Sequence, residues 1–451
     1  MGSRYAESVQ RTPLFFFLAA AMLHGLFALT IPSPVDWDPA YYRQVALNIA
    51  QGRGAVTQSL LFFGYLPQAL PFPADLHWMP LPSRVLVPGL ALWEHGDQLI
   101  TVLLAATWAP LAWALSRRLG QDGMLAGALA LLGGGYLRFL STPDSIALYG
   151  ALGGAVALAL AHRRYLLAAA ALAAAALTRG DGLLLAPCLA LPLILKRKPV
   201  GVLLALVGPT VALAWMARCH SVGDPAWASS RELVLQTLSY PDFVLGLPGT
   251  PSFRARLVFL VGEIPALLRV GLIGGAFLLP WPALWALRRH RPPWALGLAL
   301  YAVAFPLAAL VLAPGVASSG TIFRSGSALV VGTCALAASG FEALCARRSY
   351  PRWLPLLAVA SVSLALGLAN AWLAPSIPWR CPPGDTAIFA TRPLSCERPA
   401  LLLPVNMPPQ QVRELAERYE IEGVWLTPSD GLGWGAEEER EVLVEELLGE
   451  R

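Results

Sequence analysis

Charged residues are scarce in this chain of 451 residues: Asp, Glu, Lys and Arg make up only 14%, whereas hydrophobic residues make up 56%. An ordinary soluble domain carries about 25% charged residues, so the composition excludes a soluble globular protein. Lysine is almost absent, since only Lys196 and Lys198 occur. The basic residues are therefore nearly all arginines spread through an apolar chain, and this composition gives no indication of nucleic-acid binding.

Motifs of soluble-nucleotide and redox chemistry are also missing. The sequence contains no P-loop, GxSxG, HExxH, CxxC pair or dinucleotide fingerprint. Cysteines are few, and Cys188, Cys334 and Cys345 fall in apolar runs, where cysteine behaves as a small hydrophobic residue. Cys381 and Cys396 share the C-terminal tail, where oxidising conditions outside the cytoplasm would permit a disulfide.

Long apolar runs dominate what is present. About eleven of them approach the roughly 20 residues needed to cross a bilayer; they cover 13–31, 98–116, 122–140, 145–161, 165–177, 182–195, 200–217, 263–287, 294–313, 325–346 and 353–374. We therefore predict an all-α polytopic membrane domain over residues 1–374. An acidic tail over 375–451 is predicted to form a small α/β domain, with strands at 400–405 and 423–427 and helices at 409–419 and 437–448.

Pairs of basic residues predict the orientation. They occur at Arg117-Arg118, Arg163-Arg164, Lys196-Arg197-Lys198, Arg288-Arg289 and Arg347-Arg348. Basic loops favour the cytoplasmic side, so we expect a multi-pass protein of the cell (inner) membrane with a cytoplasmic N terminus and an extracytoplasmic tail. The stretch between Arg164 and Lys196 is too short for two full crossings, which predicts two short helices that meet at 178–182.

The first outer segment, residues 32–97, has helix signals of its own. Asp38 precedes Pro39 and an apolar stripe that stops at Gly52, which predicts a helix lying on the membrane surface. A second apolar piece, 85–93, predicts another interfacial helix.

The order of these features resembles the GT-C glycosyltransferases, which include protein O-mannosyltransferases (glycosyltransferase family 39) and the lipid A aminoarabinose transferase. The resemblance covers nearly the whole membrane domain. It is carried by Trp37-Asp38-Pro39-Ala40-Tyr41-Tyr42, the run from Ala46 to Gly54, Trp78-Met79-Pro80-Leu81, Pro143-Asp144-Ser145, the run from Leu177 to Leu183, and Phe323-Arg324-Ser325.

The resemblance implies an enzyme that moves a sugar from a polyprenyl-phosphate lipid to a glycan, lipid or protein acceptor, with inversion. It implies Asp38 as the catalytic base and Asp144 as its assistant. Arginines hold the lipid phosphate in that family, which points to Arg179, Arg324 and Arg84 here. Substrate contacts are expected from His77, Tyr42 and Asp181. Catalysis needs no cofactor in this scheme, although His77 with Asp36, Asp38 or Asp144 offers oxygen and nitrogen ligands for a divalent metal.

Plainer roles are open to the same residues. Asp38 and Asp144 are also placed to cap helices, and Arg179 is placed to pair with Asp181. Arg324 can anchor a helix end near lipid headgroups, and Tyr42 can belong to an aromatic belt. A competing function is a transporter or lipid flippase, since such proteins also contain broken helices and buried charges.

Overall fold

The computed structural model describes residues 2–30, 37–60, 70–76, 78–222, 252–275, 278–312, 321–351, 353–373, 388–390, 400–402, 409–426 and 440–444. Four residues singled out in the sequence lie outside this part of the chain: Asp36, His77, Cys381 and Cys396. The proposed disulfide and the ligands expected from Asp36 and His77 therefore stay predictions.

Helices form most of the described chain. In order they are α1 (Gly2–Thr30), α2 (Trp37–Ala50), α3 (Leu81–Leu92), α4 (Gly96–Ala106), α5 (Trp108–Arg118), α6 (Met124–Leu132), the 3₁₀ helix Gly134–Ser141, α7 (Ser145–Ala161), α8 (Tyr165–Thr178), α9 (Gly182–Leu195), α10 (Pro199–Ser221), α11 (Phe253–Gly274), α12 (Pro280–His290), α13 (Pro293–Leu312), α14 (Ile322–Arg348), α15 (Trp353–Leu373) and α16 (Pro409–Tyr419).

Five helical stretches of the described chain are long and apolar enough to cross a membrane, and a bent pair makes a sixth. The five are Arg11–Thr30, Gly96–Arg118, Pro199–Ser221, Pro293–Leu312 and Ile322–Arg348. Several shorter apolar helices accompany them, including Tyr165–Thr178 and Gly182–Leu195. The chain is therefore a multi-pass membrane protein, while the count of eleven crossings remains a prediction.

The bent pair shows why one predicted run is not a straight helix. Met124–Leu132 and Gly134–Ser141 meet at an angle of 57°. Gly133 and Gly134 lie at the bend with φ of 62° and 58°, in the left-handed region that glycine enters without a steric penalty. These two residues therefore bend the chain between α6 and the 3₁₀ helix that leads to α7.

The predicted run 263–287 is wrong as a single helix. The structure has α11 ending at Gly274 and α12 beginning at Pro280. Proline is favoured in the first turn of a helix because its missing N–H would have had no partner there. Apolarity alone did not reveal this boundary, because the residues on both sides of it are equally apolar.

The broken helix predicted at 178–182 is present. Helix α8 ends at Thr178, and α9 begins at Gly182. A Cβ on Gly182 would lie only 2.6 Å from the Ala176 Cα, so the chain reverses too tightly for any larger residue there. The reversal leaves Arg179 and Asp181 at the junction of two apolar helices.

The first outer segment packs on itself. Helix α2 begins at Trp37, one residue before the predicted cap, and α3 spans Leu81–Leu92, earlier than the predicted 85–93. Short strands β1 (Val56–Thr57) and β3 (Phe72–Pro73) pair antiparallel between them. Tyr41, Tyr42, Val45 and Leu86 are buried in the core that joins α2 to α3.

A five-stranded sheet combines the tail with the first outer segment. Its strands are β2 (Ser59–Leu60), β4 (Ile388–Ala390), β5 (Ala400–Leu402), β6 (Gly423–Leu426) and β7 (Arg440–Leu443), in the order β2-β5-β4-β6-β7. All neighbours pair parallel except β6 and β7. The helix predicted over 437–448 is wrong at Arg440–Leu443, because antiparallel pairing, such as Val442 opposite Val424, overrides the local helix preference of glutamate.

Candidate active site

Five helix ends converge on one group of charged side chains. Asp38 lies in the first turn of α2, and Asp144 immediately precedes α7. Arg179 and Asp181 occupy the break between α8 and α9, and Arg324 lies in the first turn of α14. We call these five residues the charged cluster. The sequence placed all five on the outer side, and the structure brings them into contact.

Arg324 bridges the two predicted catalytic carboxylates. Its Nε lies 3.0 Å from Asp144 Oδ2 and 3.4 Å from Asp38 Oδ2. The three side chains are largely buried, with exposures of 11% for Arg324, 2% for Asp144 and 19% for Asp38. Asp38, the most exposed of them, is therefore the carboxylate best placed to meet a substrate.

Asp144 does not use its side chain as a helix cap. The residue stands at the N-cap position of α7, but no side-chain hydrogen bond closes the first turn. Its Oδ1 accepts a hydrogen bond of 2.9 Å from the Ser145 hydroxyl, while Oδ2 faces Arg324. Asp144 thus holds the guanidinium, which the capping role does not explain.

Arg179 is held from several directions. Its Nε donates to Asp181 Oδ1 at 2.9 Å, as the pairing alternative predicts. Its remaining nitrogens donate to the hydroxyls of Ser145 and Ser325 at 3.1 and 3.2 Å. Since Ser145 in turn donates to Asp144, the two arginine pairs belong to one hydrogen-bonded network. Arg179 therefore ties α7, α9 and α14 together.

Two tyrosines that the sequence analysis did not single out extend this network. The Tyr301 hydroxyl donates to Asp181 Oδ2 at 2.6 Å and lies 3.1 Å from the Tyr149 hydroxyl. Both rings are almost fully buried. A tyrosine within an apolar run is a weak sequence signal, and only the pairing across 120 residues of chain shows its role.

The aromatic residues of the first outer segment face the same cluster. The Trp78 indole donates to Asp38 Oδ1 at 3.1 Å, and its ring stacks on Tyr41 with centroids 4.2 Å apart. Tyr42 is buried beside the cluster. Burial raises the pKa of the Tyr42 phenol well above its usual value, and the carboxylates of Asp38 and Asp144 raise it further. The phenol therefore stays protonated and serves only as a neutral group.

Arg84, predicted to bind phosphate, contacts a different carboxylate. Its Nη1 lies 2.6 Å from Oδ2 of the fully buried Asp75 and also donates to the Pro80 carbonyl. Arg218 and Trp215, at the end of α10, donate to the carbonyls of Ala74 and Asp75. These contacts join the loop before α3 to α10. Burial raises the pKa of the Asp75 carboxyl even though Arg84 and Arg218 lower it.

Metal ligands do not gather within the described residues: no group of three or more His, Cys, Asp or Glu side chains there is arranged to hold an ion. Asp38 and Asp144 supply two carboxylates, and Arg324 already lies against both. The metal site that includes Asp36 or His77 remains a prediction.

An apolar cavity of about 500 Å³ reaches Tyr301, whose hydroxyl donates to Asp181 of the charged cluster. It lies among α11 to α14, and Tyr136, Tyr301, Ile322 and Gly326 line the part next to the cluster. Along α14 the lining continues to Leu336, 14 residues and roughly 21 Å from Ile322. Leu268 and Leu284 on its lining are exposed, so the cavity is open at the surface of the helix bundle.

The structure thus has a charged site at converging helix ends of a multi-pass helical fold. The chain is similar in fold to ArnT from Cupriavidus metallidurans, in a crystal structure bound to undecaprenyl phosphate. The two are 16% identical with a TM-score of 0.51, and the match covers 87% of this chain and 86% of ArnT. The resemblance to the GT-C membrane glycosyltransferases is confirmed at the level of the fold.

A second structure of the same ArnT, in the apo state, is 16% identical with a TM-score of 0.48 and covers 86% of this chain and 85% of ArnT. The chain matches no model of a protein family, and no curated protein matches it in sequence.

Proposed function

We propose that the protein is an inverting glycosyltransferase that moves a sugar from a polyprenyl-phosphate lipid to an acceptor on the outer face of the cell (inner) membrane. The observation that carries the proposal is the position of Arg324, which links Asp38 to Asp144 next to an apolar cavity. The cavity suits an isoprenoid chain, and the arginine suits the phosphate at its end. ArnT, whose fold the chain shares, was crystallised with undecaprenyl phosphate.

In the proposed reaction, Asp38 accepts the proton of an acceptor hydroxyl as that oxygen attacks the anomeric carbon of the sugar. The bond between this carbon and the phosphate oxygen breaks, and the lipid phosphate leaves with the electron pair. A single displacement of this kind inverts the anomeric centre and needs no covalent enzyme intermediate. Arg324 stabilises the charge that develops on the phosphate, which is the main task of a cation in such a site.

The geometry couples donor binding to activation of the base. A phosphate that bonds Arg324 competes with Asp38, since the guanidinium faces Asp38 at 3.4 Å and Asp144 at 3.0 Å. The longer contact is the easier one to exchange. Once released from the arginine, the Asp38 carboxylate becomes more basic, because a nearby opposite charge no longer favours its ionised form. Asp144 keeps Arg324 in place throughout.

The orientation and domain organisation belong to the same proposal. A cytoplasmic N terminus puts the charged cluster on the outer side, where lipid-linked sugars and acceptors would meet. We propose about eleven crossings over residues 1–374, and an extracytoplasmic α/β domain over 375–451 built around the five-stranded sheet. The strands and helix α16 support such a domain.

The first test measures whether the cavity takes a lipid chain. Ala299 lines the cavity and Val303, one turn further along α13, does not. Purified Ala299→Trp should lose affinity for undecaprenyl phosphate by about tenfold or more, whereas Val303→Trp, at an exposed position, should bind as the wild type does. Equal affinity in both variants would remove the cavity from the proposal.

The second test identifies the reaction. Mass spectrometry of surface glycans in a deletion strain should show the loss of one sugar, restored by the wild-type gene. A glycan profile that is unchanged, together with lipid movement across vesicles containing the purified protein, would instead establish the flippase alternative. The tryptophan variants separate lipid binding from either activity.

A further inference from the structure

The five-stranded sheet reaches into the segment that carries the proposed catalytic base. Strand β2 comes from the first outer segment, yet its backbone pairs parallel with β5 of the tail, Ser59 opposite Ala400 and Leu60 opposite Leu401. The sheet is therefore built from two parts of the sequence that lie more than 300 residues apart. Whatever fixes β2 also constrains the residues hydrogen-bonded to it.

Gln44 of helix α2 makes that connection. Its Nε2 donates to the Ser59 hydroxyl at 2.9 Å, and its Oε1 accepts from the Thr57 hydroxyl at 2.8 Å and from the Gln58 backbone N–H at 3.1 Å. Gln44 is only 2% exposed. A buried amide with all these partners satisfied fixes one arrangement of helix and strand, because any other leaves polar groups buried without partners.

The next turn of the same helix repeats the contact. Asn48 follows Gln44 by four residues, so the two side chains share one face of α2. Its Nδ2 donates to the Val56 carbonyl at 2.8 Å and to Gln58 Oε1 at 2.9 Å. Asp38 and Tyr42, also four residues apart, face the charged cluster instead. Helix α2 is thus held by the strands on one face and presents the base on another.

A small rotation of α2 about its axis would displace the carboxylate of Asp38. Side chains lie about 5 Å from the axis of a helix, so a rotation of about 10° moves a carboxylate by roughly 1 Å. A misplacement of that size can reduce a reaction rate by about 10²-fold. The amide contacts of Gln44 oppose this rotation directly.

We propose that the five-stranded sheet sets the orientation of α2, with Gln44 as a positioning residue for Asp38. This inference rests on the proposed function, in which Asp38 is the base. It gives the tail a role in catalysis although none of its described residues belongs to the charged cluster. Gln44 acts through the helix and does not touch the substrate.

The test compares two substitutions of Gln44. Gln44→Met keeps the size of the side chain and removes all three hydrogen bonds, whereas Gln44→Glu keeps oxygen acceptors for Thr57 and the Gln58 N–H. We expect Gln44→Met to lower kcat about tenfold or more with little change in the KM for the lipid donor, and Gln44→Glu to recover part of the loss. Leu92→Ala, a change at a side chain that is 89% exposed at the end of α3, is the control and should leave kcat unchanged.

The pH profile separates positioning from general damage. If α2 turns, Asp38 moves away from Arg324 in the free enzyme and its pKa there rises, so the acid limb of the kcat/KM profile should move to higher pH in Gln44→Met. A loss of folded protein would lower the amplitude and leave the limb in place. An unchanged kcat, or a lower kcat with an unmoved acid limb, would overturn the proposal.

A double-variant cycle tests whether the effect of Gln44 on the rate originates in the sheet. Leu401 is fully buried opposite Leu60, so Leu401→Asp should detach β5 from β2. If sheet and Gln44 act through one connection, the double variant should be no slower than the slower single variant, whereas independent effects multiply. Multiplied effects would overturn the proposal.

Backbone amide exchange supplies a readout that does not depend on activity. Leu401→Asp and Gln44→Met should each speed exchange in residues 37–50, and Leu92→Ala should not. Unchanged exchange in the first two variants would contradict the coupling even if the wild type transfers sugar. A wild type that shows the coupling but no transfer would refute the proposed function alone.

Discussion

The charge of Asp38 is the feature on which the proposed chemistry depends, and Asp38→Asn removes it with little change in shape. The Asn side-chain oxygen can still accept the hydrogen bond from Trp78, which is 3.1 Å long in the wild type. Arg324 keeps its 3.0 Å contact with Asp144. The substitution removes the proton acceptor and the 3.4 Å contact between the Asp38 carboxylate and the oppositely charged guanidinium of Arg324.

The two effects of this substitution differ in size. Loss of a general base slows a reaction by about 10²-fold or more, equivalent to about 2.7 kcal/mol in the barrier. The lost contact leaves no buried charge unpaired, because Arg324 stays paired with Asp144, so we expect it to cost only about 1 kcal/mol in stability. We therefore expect Asp38→Asn to extract from membranes and unfold almost as the wild type does, to bind the polyprenyl-phosphate donor, and to transfer sugar at about 1% of the wild-type rate or less.

Asp122→Asn is the matched control. Asp122 also precedes a helix, α6, and its Oδ1 accepts a hydrogen bond of 2.9 Å from the Met124 backbone N–H, outside the charged cluster. Because asparagine caps a helix nearly as well as aspartate, this substitution should leave the unfolding temperature and the transfer rate per folded molecule unchanged. The assay is the initial rate of sugar transfer in membranes from the complemented deletion strain, normalised to folded protein. Wild-type turnover in Asp38→Asn would refute the assignment and move the base to Asp144.

Further predictions concern the residues around Asp38. Arg179→Ala breaks a buried pair and should cost about 3–5 kcal/mol of stability, measured by thermal unfolding in detergent. Arg324→Ala should mainly weaken undecaprenyl-phosphate binding, by about 1.5–3 kcal/mol in a titration, and equal affinity with wild type would exclude the phosphate role. Tyr301→Phe removes a buried hydrogen bond to Asp181 and should destabilise the fold by about 1–3 kcal/mol; an unchanged unfolding temperature would contradict it. Burial raises the pKa of Asp75, so its ionised form is disfavoured in the folded state. Asp75→Asn should therefore be more stable than the wild type at pH 7. This difference in stability should shrink as the pH falls through the pKa of Asp75 in the folded protein. A gap that stays constant with pH would show that desolvation does not dominate at Asp75.

The sequence predicted the helices that are bounded by strong local signals. Ser145–Ala161 and Gly182–Leu195 have the predicted bounds, since each follows an aspartate within two residues and ends next to basic residues. The tail helix Pro409–Tyr419 also has them, because its apolar stripe repeats with helical spacing. The break near Pro280 and the strand Arg440–Leu443 were missed, since local composition did not reveal the first and long-range pairing creates the second.

The candidate site was predicted as a set of residues and not as a network. The resemblance singled out Asp38, Asp144, Arg179 and Arg324, the predicted topology put them on the same side, and the structure brings them together. Ser145 and Ser325 stood within the quoted motifs but had no role assigned to them, and Tyr301 gave no signal because it is an ordinary residue of an apolar helix. Their role follows from which helices pack side by side, and that depends on contacts across more than 100 residues of chain.

The charge balance of the cluster bears on how a phosphate can enter. Three carboxylates, those of Asp38, Asp144 and Asp181, face two guanidinium groups, those of Arg179 and Arg324, so these five side chains carry a net charge of about −1 when all are ionised. A lipid phosphate adds further negative charge to a largely buried place, which is costly unless charge is compensated. A carboxylate that takes up a proton compensates for the added negative charge. Asp38 is the carboxylate that loses its contact with Arg324 when the phosphate binds this arginine. The proton that the donor would bring to Asp38 must leave again before Asp38 can act as a base. Donor binding and base catalysis therefore make opposite demands on the Asp38 carboxylate.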